Sequence, residues 1–250
     1  MEDALMTYTD LIFDLYGTLV DIHTEENDLV WEKTALYFSF HGAHYTGDEL
    51  RAAFRAAMAA QEAKEGQAYE CFPDIPFEEV MAELFRAKRV EHTEPLAVNA
   101  AQLFRISSIE YIRLYPYVLQ SLEQLRAHGY RLWLLSNAQA IFTRAELRHL
   151  GLEEAFDGVY LSSDYRCRKP DGRFFHALLD EQQLDPARSL MIGNDLETDI
   201  GGAKAAGLAT LYLHTNLTPP HQREAKPSAA PHYEWEGSDW VAITDFLLTQ

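Results

Sequence analysis

Apolar and polar positions follow two different rhythms along these 250 residues, and the change of rhythm divides the chain. Residues 10–20 read as a short apolar strand running into a tight turn, with Asp14 at the strand's carboxyl end and Gly17 at the bend. From about 24 to 114, apolar residues recur at helical spacing with no convincing alternating strand. Thr46-Gly-Asp-Glu49 has capping-box spacing ahead of the Ala-rich run Leu50 to Lys64, which Gly66 closes. Pro76 stands where a helix over Phe77 to Phe85 should begin. Pro95 does the same for a helix running through Leu103, Phe104, Ile109 and Ile112.

After Pro116 the pattern becomes a strict alternation. A helix at 118–128 ends at Gly129, a strand follows at Arg131–Leu135, and a helix at 139–150 ends at Gly151. Then come a strand at Gly158–Leu161, a helix from Asp171 to Gln183, and a strand at Ser189–Ile192. A helix over 197–206 stops at Gly207, a strand occupies Ala209–Leu213, and Thr218–Pro231 reads as an exposed proline-rich loop. Strands alternating with helices of this length predict an α/β fold, a Rossmann-like parallel sheet with right-handed crossovers. Residues 10–20 supply its first strand. The expected division is therefore an α/β core of residues 1–20 and 115–250, interrupted by an all-helical insertion of residues 21–114.

Composition narrows the function classes. The chain is 47% hydrophobic and 24% charged, as in ordinary globular proteins. Its 39 acidic against 21 basic residues give a net charge of −18, which opposes generic nucleic-acid binding. The same charge repels phosphorylated substrates, so a phosphate site here needs a local cation or metal. The two cysteines, Cys71 and Cys167, build neither a disulfide framework nor a CxxC site. No apolar run reaches transmembrane length, and Met-Glu-Asp-Ala-Leu-Met lacks a signal peptide's basic region, so the expectation is a cytoplasmic protein with no membrane partner. Nothing in the pattern specifies an oligomeric state.

Candidate chemistry collects at the strand ends. The first strand presents Asp14, followed by Tyr16, Gly17 and Thr18; the next ends in Ser136 and Asn137. Lys169-Pro170 precedes one helix, and Gly193 is followed by Asn194, Asp195, Glu197 and Asp199. Each group has an ordinary reading: a polar turn, a helix cap, a surface lysine, and acids favoured by a helix dipole. Taken in order, Asp-Leu-Tyr-Gly-Thr, Ser-Asn, Lys-Pro and Gly-Asn-Asp-Leu-Glu-Thr-Asp resemble the four motifs of the haloacid dehalogenase-like (HAD) superfamily. The resemblance covers the α/β part, and the helical insertion resembles that superfamily's cap.

The resemblance implies a role for each residue. Asp14 is the nucleophile, forming an aspartyl intermediate that water cleaves. Ser136 and the amides around Asn137 donate to the transferring group, with Tyr16 and Thr18 beside the substrate. Lys169 offsets the negative charge around Asp14. Asp195, Asp199 and Asn194 hold Mg²⁺ together with Asp14 and the Tyr16 carbonyl, Asn194 and Asp195 competing for one position.

Two departures matter. HAD phosphatases carry a second aspartate two residues after the nucleophile, where this chain has Tyr16, a phenol unsuited to general-base work near pH 7. That form looks like the haloacid dehalogenases, whose leaving halide needs no proton. Those enzymes use no metal, build their fourth motif around Ser and Asn, and place an arginine in the first cap helix. Here that stretch offers only Lys33. The leading expectation is a Mg²⁺-dependent phosphatase of a small phosphorylated metabolite. The runner-up is a 2-haloacid dehalogenase, and the third reading is a catalytically weak HAD-fold binding protein. Trp31, Tyr37, Phe38, Tyr69 and Phe72 either line a pocket or form the insertion's own core, the latter being favoured. The histidines, among them His41, His44, His92, His128 and His149, show no ligand spacing.

Overall fold

The computed structural model describes residues 7–65, 72–91, 93–222 and 230–250. Gly66, Tyr69, Cys71, His92 and residues 223–229 of the proline-rich stretch lie outside that set. The first strand, β1 (Asp10–Phe13), is buried at all four positions, as a central parallel strand covered on both faces must be. Its one charged member is satisfied: Asp10 accepts from Trp133 Nε1 at 2.8 Å and from Arg131 Nη2 at 2.7 Å. Trp133 is thus sheet core, tied by its one polar atom.

The chain then forms β2 (Val20–Thr24) and the helices α1 (Asp28–Phe40), α2 (Gly47–Glu65), α3 (Phe77–Ala87) and α4 (Thr93–Ser108). It returns through β3 (Ile109–Leu114) to α5 (Val118–Ala127), β4 (Arg131–Ser136), α6 (Ala140–His149) and β5 (Gly158–Leu161). The short α7 (Ser162–Tyr165) and α8 (Gly172–Glu181) lead to β6 (Ser189–Gly193). A π-helical turn at Leu196–Gly201 runs into α9 (Gly202–Ala205), and β7 (Ala209–His214), β8 (Tyr233–Glu236) and α10 (Trp240–Leu247) follow. The six core strands are parallel in the order β5-β4-β1-β6-β7-β8. No helix among the described residues is long and apolar enough to cross a membrane.

Successive residues of β1 face opposite sides of the sheet. Leu11 and Phe13 join Leu122 and Leu125 of α5 and Trp240 and Ile243 of α10. Ile12 faces the other way, into Trp133, Phe174, Phe175 and Leu178. The helices α1 to α4 share a separate core that includes Trp31, Phe38, Val80, Phe85 and Phe104. Trp31 and Phe38 are therefore packing residues, Tyr37 packs against them, and Phe72 is exposed. The capping box at the start of α2 forms as its spacing predicts: Thr46 N donates to Glu49 Oε2 at 2.8 Å, and Glu49 N to Thr46 Oγ1 at 3.2 Å.

Residues 109–114 depart from the helical expectation. The helix opened by Pro95 stops at Ser108, and Ile109 to Leu114 pair antiparallel with β2, Val20 opposite Leu114 and Ile22 opposite Ile112. The β-branched and aromatic residues of Ile-Glu-Tyr-Ile-Arg-Leu suit a pleated ladder once a partner strand exists, and that partner is remote in sequence. Arg113 locks the pair by donating to buried Asp21 at 2.9 and 2.7 Å, so both crossings into the helical unit are fastened together. The strand β8 and helix α10 also went unforeseen behind the proline-rich stretch. Trp240 of α10 is fully buried and donates from Nε1 to Thr18 O at 3.2 Å, bracing the turn after β1.

The rings of Phe38 and Phe85 stack with centroids 3.9 Å apart, both fully buried. Phe38→Ala should cost about 3–5 kcal/mol of stability, read from chemical denaturation. A loss below about 1 kcal/mol would mean that this aromatic stack does not organise the helical unit.

Candidate active site

In β1, Phe13 pairs with Leu134 on one side and Ile192 on the other, so the three central strands end at a common rim. The Asp14 amide still donates to Ile192 O at 3.0 Å, and the chain then leaves the sheet. Leu15 O accepts from both Leu19 N and Val20 N at 2.9 Å, closing the turn. Gly17 adopts φ +85° within it, and a Cβ there would overlap the Asn194 side chain. Only glycine meets both conditions. Thr18 is fully buried beneath the rim, its hydroxyl 3.4 Å from Asp14 Oδ2 and donating to Asn194 Oδ1 at 3.2 Å. It lies under the cleft, where it holds other groups, and is not among the residues that line it.

Lys169 comes from the loop before α8, and Asn137 sets its position. Asn137 Oδ1 accepts from Lys169 N at 2.7 Å, and its Nδ2 donates to Lys169 O at 3.0 Å. The ammonium is 1% exposed and spends its three protons on Asp14 Oδ1 at 2.8 Å, Asp199 Oδ1 at 2.7 Å and Leu135 O at 2.7 Å. Burial works against its charge, but the carboxylates of Asp14 and Asp199 outweigh it and keep its pKa above the usual lysine value. Asp199 sits too deep for that single cation to compensate. Burial, with Asp14 adding to it, raises its pKa above the carboxylate range despite Lys169. Gly193 is obligatory beside it, because a Cβ would collide with the Asp199 side chain.

Ser136 Oγ donates to Asp14 Oδ1 at 3.3 Å. Asp195 caps the π-helical turn, its Oδ1 accepting from Glu197 N at 2.9 Å and Thr198 N at 2.8 Å. Asp14, Tyr16, Ser136, Asn137, Lys169, Asn194, Asp195 and Asp199 thus border one cleft of about 300 Å³. Thr18 is the one residue of the expected set outside its lining.

Among the described residues, no three Asp, Glu, His or Cys side chains are arranged to hold a metal by themselves. Asp14 and Asp199 each give an oxygen to Lys169, and Asp195 Oδ1 is turned to amides. Mg²⁺ needs no such cage: it takes one or two carboxylates and fills its shell with water and substrate oxygens. The donors here are carboxylate and amide oxygens, and three buried or half-buried aspartates line the cleft with one lysine. The set fits magnesium shared with a substrate, not a preformed all-protein site.

Tyr16 is committed elsewhere. Its hydroxyl donates to Glu146 Oε2 at 2.5 Å and lies 3.1 Å from Thr143 Oγ1, both on α6. Glu146 in turn takes Arg105 of α4 at 2.6 and 3.0 Å, and the Arg105 guanidinium lies 5.4 Å from the centre of the Tyr16 ring. Burial, reinforced by the Glu146 carboxylate, drives the Tyr16 pKa far above its ordinary value, so the phenol is no base at neutral pH. Arg105, from the last helix of the helical unit, thus packs on a rim residue, whereas Lys33 of the first helix is exposed.

A second seam joins the two units: Asp74 accepts from Gln139 Nε2 at 2.7 Å and from Ser162 Oγ at 2.5 Å, and Gln139 Oε1 accepts from Phe77 N at 2.8 Å. Arg105, Glu146, Asp74 and Gln139 escaped the sequence reading. The only local hint was that each is polar beside an apolar stretch.

A rim with a nucleophile-type aspartate, a hydroxyl, a buried lysine and an acidic turn on a parallel sheet defines a class of hydrolase. A family model described as haloacid dehalogenase-like hydrolase matches residues 11–207, and the chain belongs to that family. It is 34% identical over 134 residues to a glyceraldehyde 3-phosphate phosphatase of Methanothermobacter thermautotrophicus, covering 54% of this chain and 56% of that one. It is 24% identical over 222 residues, 84% of each chain, to the (S)-2-haloacid dehalogenase 4A of Burkholderia cepacia. Against several of the curated phosphatases it matches, the chain spans about half their length. The fold is shared with a solved 2-haloacid dehalogenase from Pseudomonas syringae, at TM-score 0.60 and 20% identity over 96% of this chain and 98% of that one. It is shared equally with a HAD phosphatase from Thermococcus onnurineus, at TM-score 0.57 and 18% identity over 96% and 97%.

Lys169→Met leaves two buried carboxylates facing each other without their cation and should cost about 3–5 kcal/mol in chemical denaturation. Adding Asp199→Asn should restore part of that loss, since it removes one of the stranded charges. Strict additivity of the two substitutions would sink the buried-triad account.

Proposed function

We propose that this hydrolase is a Mg²⁺-dependent phosphatase of small phosphorylated metabolites, with residues 21–114 serving as a cap over a core of residues 1–20 and 115–250. The observation that carries this reading is the buried ammonium of Lys169 between Asp14 and Asp199, at 2.8 and 2.7 Å, in a cleft otherwise rich in carboxylates. A phosphoryl group enters so acidic a site only with cationic help, and the cleft combines a fixed lysine with hard oxygen donors. The phosphatases among the relatives support the same reading.

In the first step a carboxylate oxygen of Asp14 attacks phosphorus, and the bond to the leaving oxygen breaks with its electron pair going to that oxygen. In the second, water attacks the same phosphorus, the acyl–phosphate bond breaks, the Asp14 carboxylate returns and the water proton passes to phosphate or solvent. The Ser136 hydroxyl and the backbone amide of Asn137 donate to the oxygens that gain charge, the Ala138 amide being given to Ser162 Oγ. Lys169, bound to Asp14 Oδ1, keeps the carboxylate oriented throughout. Magnesium, held by Asp14, the Tyr16 carbonyl, Asn194 or Asp195, and Asp199, would supply the positive charge that lets a phosphate sit beside these acids.

No side chain at position 16 protonates the leaving oxygen, because the phenol is bound to Glu146 and its pKa is raised by burial. Leaving groups that depart as weak bases suit such a site. Acetyl phosphate should accordingly turn over about 100-fold faster than a sugar phosphate. Equal rates would remove the leaving-group argument. Asp14→Asn should cut phosphate release by at least about 1,000-fold, and chelation of Mg²⁺ should do the same. A protein that only binds would show no turnover before or after either change.

The committed hydroxyl of Tyr16 also favours a second reading, 2-haloacid dehalogenation, in which Asp14 displaces halide from carbon and water cleaves the ester. The likeness to a 2-haloacid dehalogenase over 84% of both chains supports it. Halide release from a 2-haloacid that persists in chelator, with no phosphate release from any ester, would install it in place of the phosphatase.

A further inference from the structure

A second cleft of about 380 Å³ opens where the helical unit meets the sheet, and it shares Tyr16 and Asn137 with the catalytic cleft. Two guanidinium groups border it in different states. That of Arg105 is spent on Glu146. That of Arg168 is exposed and makes no ion pair or side-chain hydrogen bond among the described residues, but its charge acts on Asp74, opposing the burial that raises that carboxyl's pKa. Asp74, the carboxylate bordering the same cleft, has both oxygens occupied by Gln139 and Ser162.

The backbone of Arg168 is nevertheless fixed on both sides. Its N donates to Phe72 O at 2.9 Å, its O accepts from Asp171 N at 3.0 Å, and the next residue is the clamped Lys169. The side chains of Ile22 and Phe142 supply apolar wall between these polar groups, room suited to a short carbon chain. A guanidinium one residue from the buried lysine, anchored at its backbone and with its N–H groups in no side-chain hydrogen bond, has the geometry to take an anion.

We infer that the second cleft receives the substrate's leaving group and that Arg168 binds a carboxylate on it, making the substrate a small phosphorylated carboxylic acid. This rests on the phosphatase reading and narrows it. One exposed guanidinium matches one planar monoanion through two parallel hydrogen bonds. A second phosphate dianion would instead leave excess negative charge beside Asp74, in a chain already at −18.

The test uses two non-hydrolysable phosphonates that differ only in charge at the far end, 4-phosphonobutyrate and 4-phosphonobutyramide. Their dissociation constants are measured by calorimetry on the full chain with Mg²⁺, for the wild type, Arg168→Gln and Arg168→Lys. The wild type should bind the acid about tenfold more tightly than the amide. Arg168→Gln should abolish that preference and leave amide binding unchanged, and Arg168→Lys should restore part of it. Because the Arg168 side chain is exposed and its anchors are backbone atoms, these variants should unfold with the wild type. Equal binding of acid and amide, or a preference that survives Arg168→Gln, overturns the carboxylate assignment while the phosphatase reading stands. Failure of both phosphonates to bind, together with no phosphate release from acetyl phosphate, overturns both.

Discussion

The contact between one ammonium and two carboxylates organises the rim of this protein. Lys169 is buried and bound to Asp14, Asp199 and the carbonyl of Leu135, so it joins the ends of three elements that are far apart in the chain. Charges removed from water are tolerable only when paired and hydrogen-bonded. The surrounding detail serves that pairing. Asn137 clamps the lysine backbone, Thr18 and Ser136 approach Asp14 from two sides, and Gly193 makes room for Asp199. Pairing is still incomplete, since Asp199 keeps a raised pKa beside its partner.

The helical unit is fastened to the core close to this rim. Arg105 reaches Glu146 and covers Tyr16, while Asp74 meets Gln139 and Ser162. The residue two positions after Asp14 is therefore part of the joint between the units. A phenol whose hydroxyl is held by a buried carboxylate contributes position, not protons. The rim beside Asp14 and the seating of the helices thus meet at the Tyr16 side chain. Arg168, on the same seam, places an exposed positive charge beside Asp74 and one residue from the lysine that orders the site.

Much of this architecture was legible in one dimension. Period-2 and period-3.6 patterning with Gly and Pro punctuation marked the central strands and most helices, because those signals act within a few residues. The rim residues Asp14, Ser136, Asn137, Lys169 and Asp199 were legible for a related reason. In a parallel sheet every strand's carboxyl end falls on one edge, so strand-end polarity already implies proximity. Only the tertiary structure decided the rest. Residues 109–114 became strand β3 because β2 was there to pair with them. Thr18 went beneath the cleft because the turn at Gly17 folds it under Asn194. Tyr16 lost its freedom to Glu146 and Arg105, partners supplied by other helices. Such outcomes depend on which distant groups arrive within hydrogen-bonding distance, and no local pattern of apolar and polar residues encodes that.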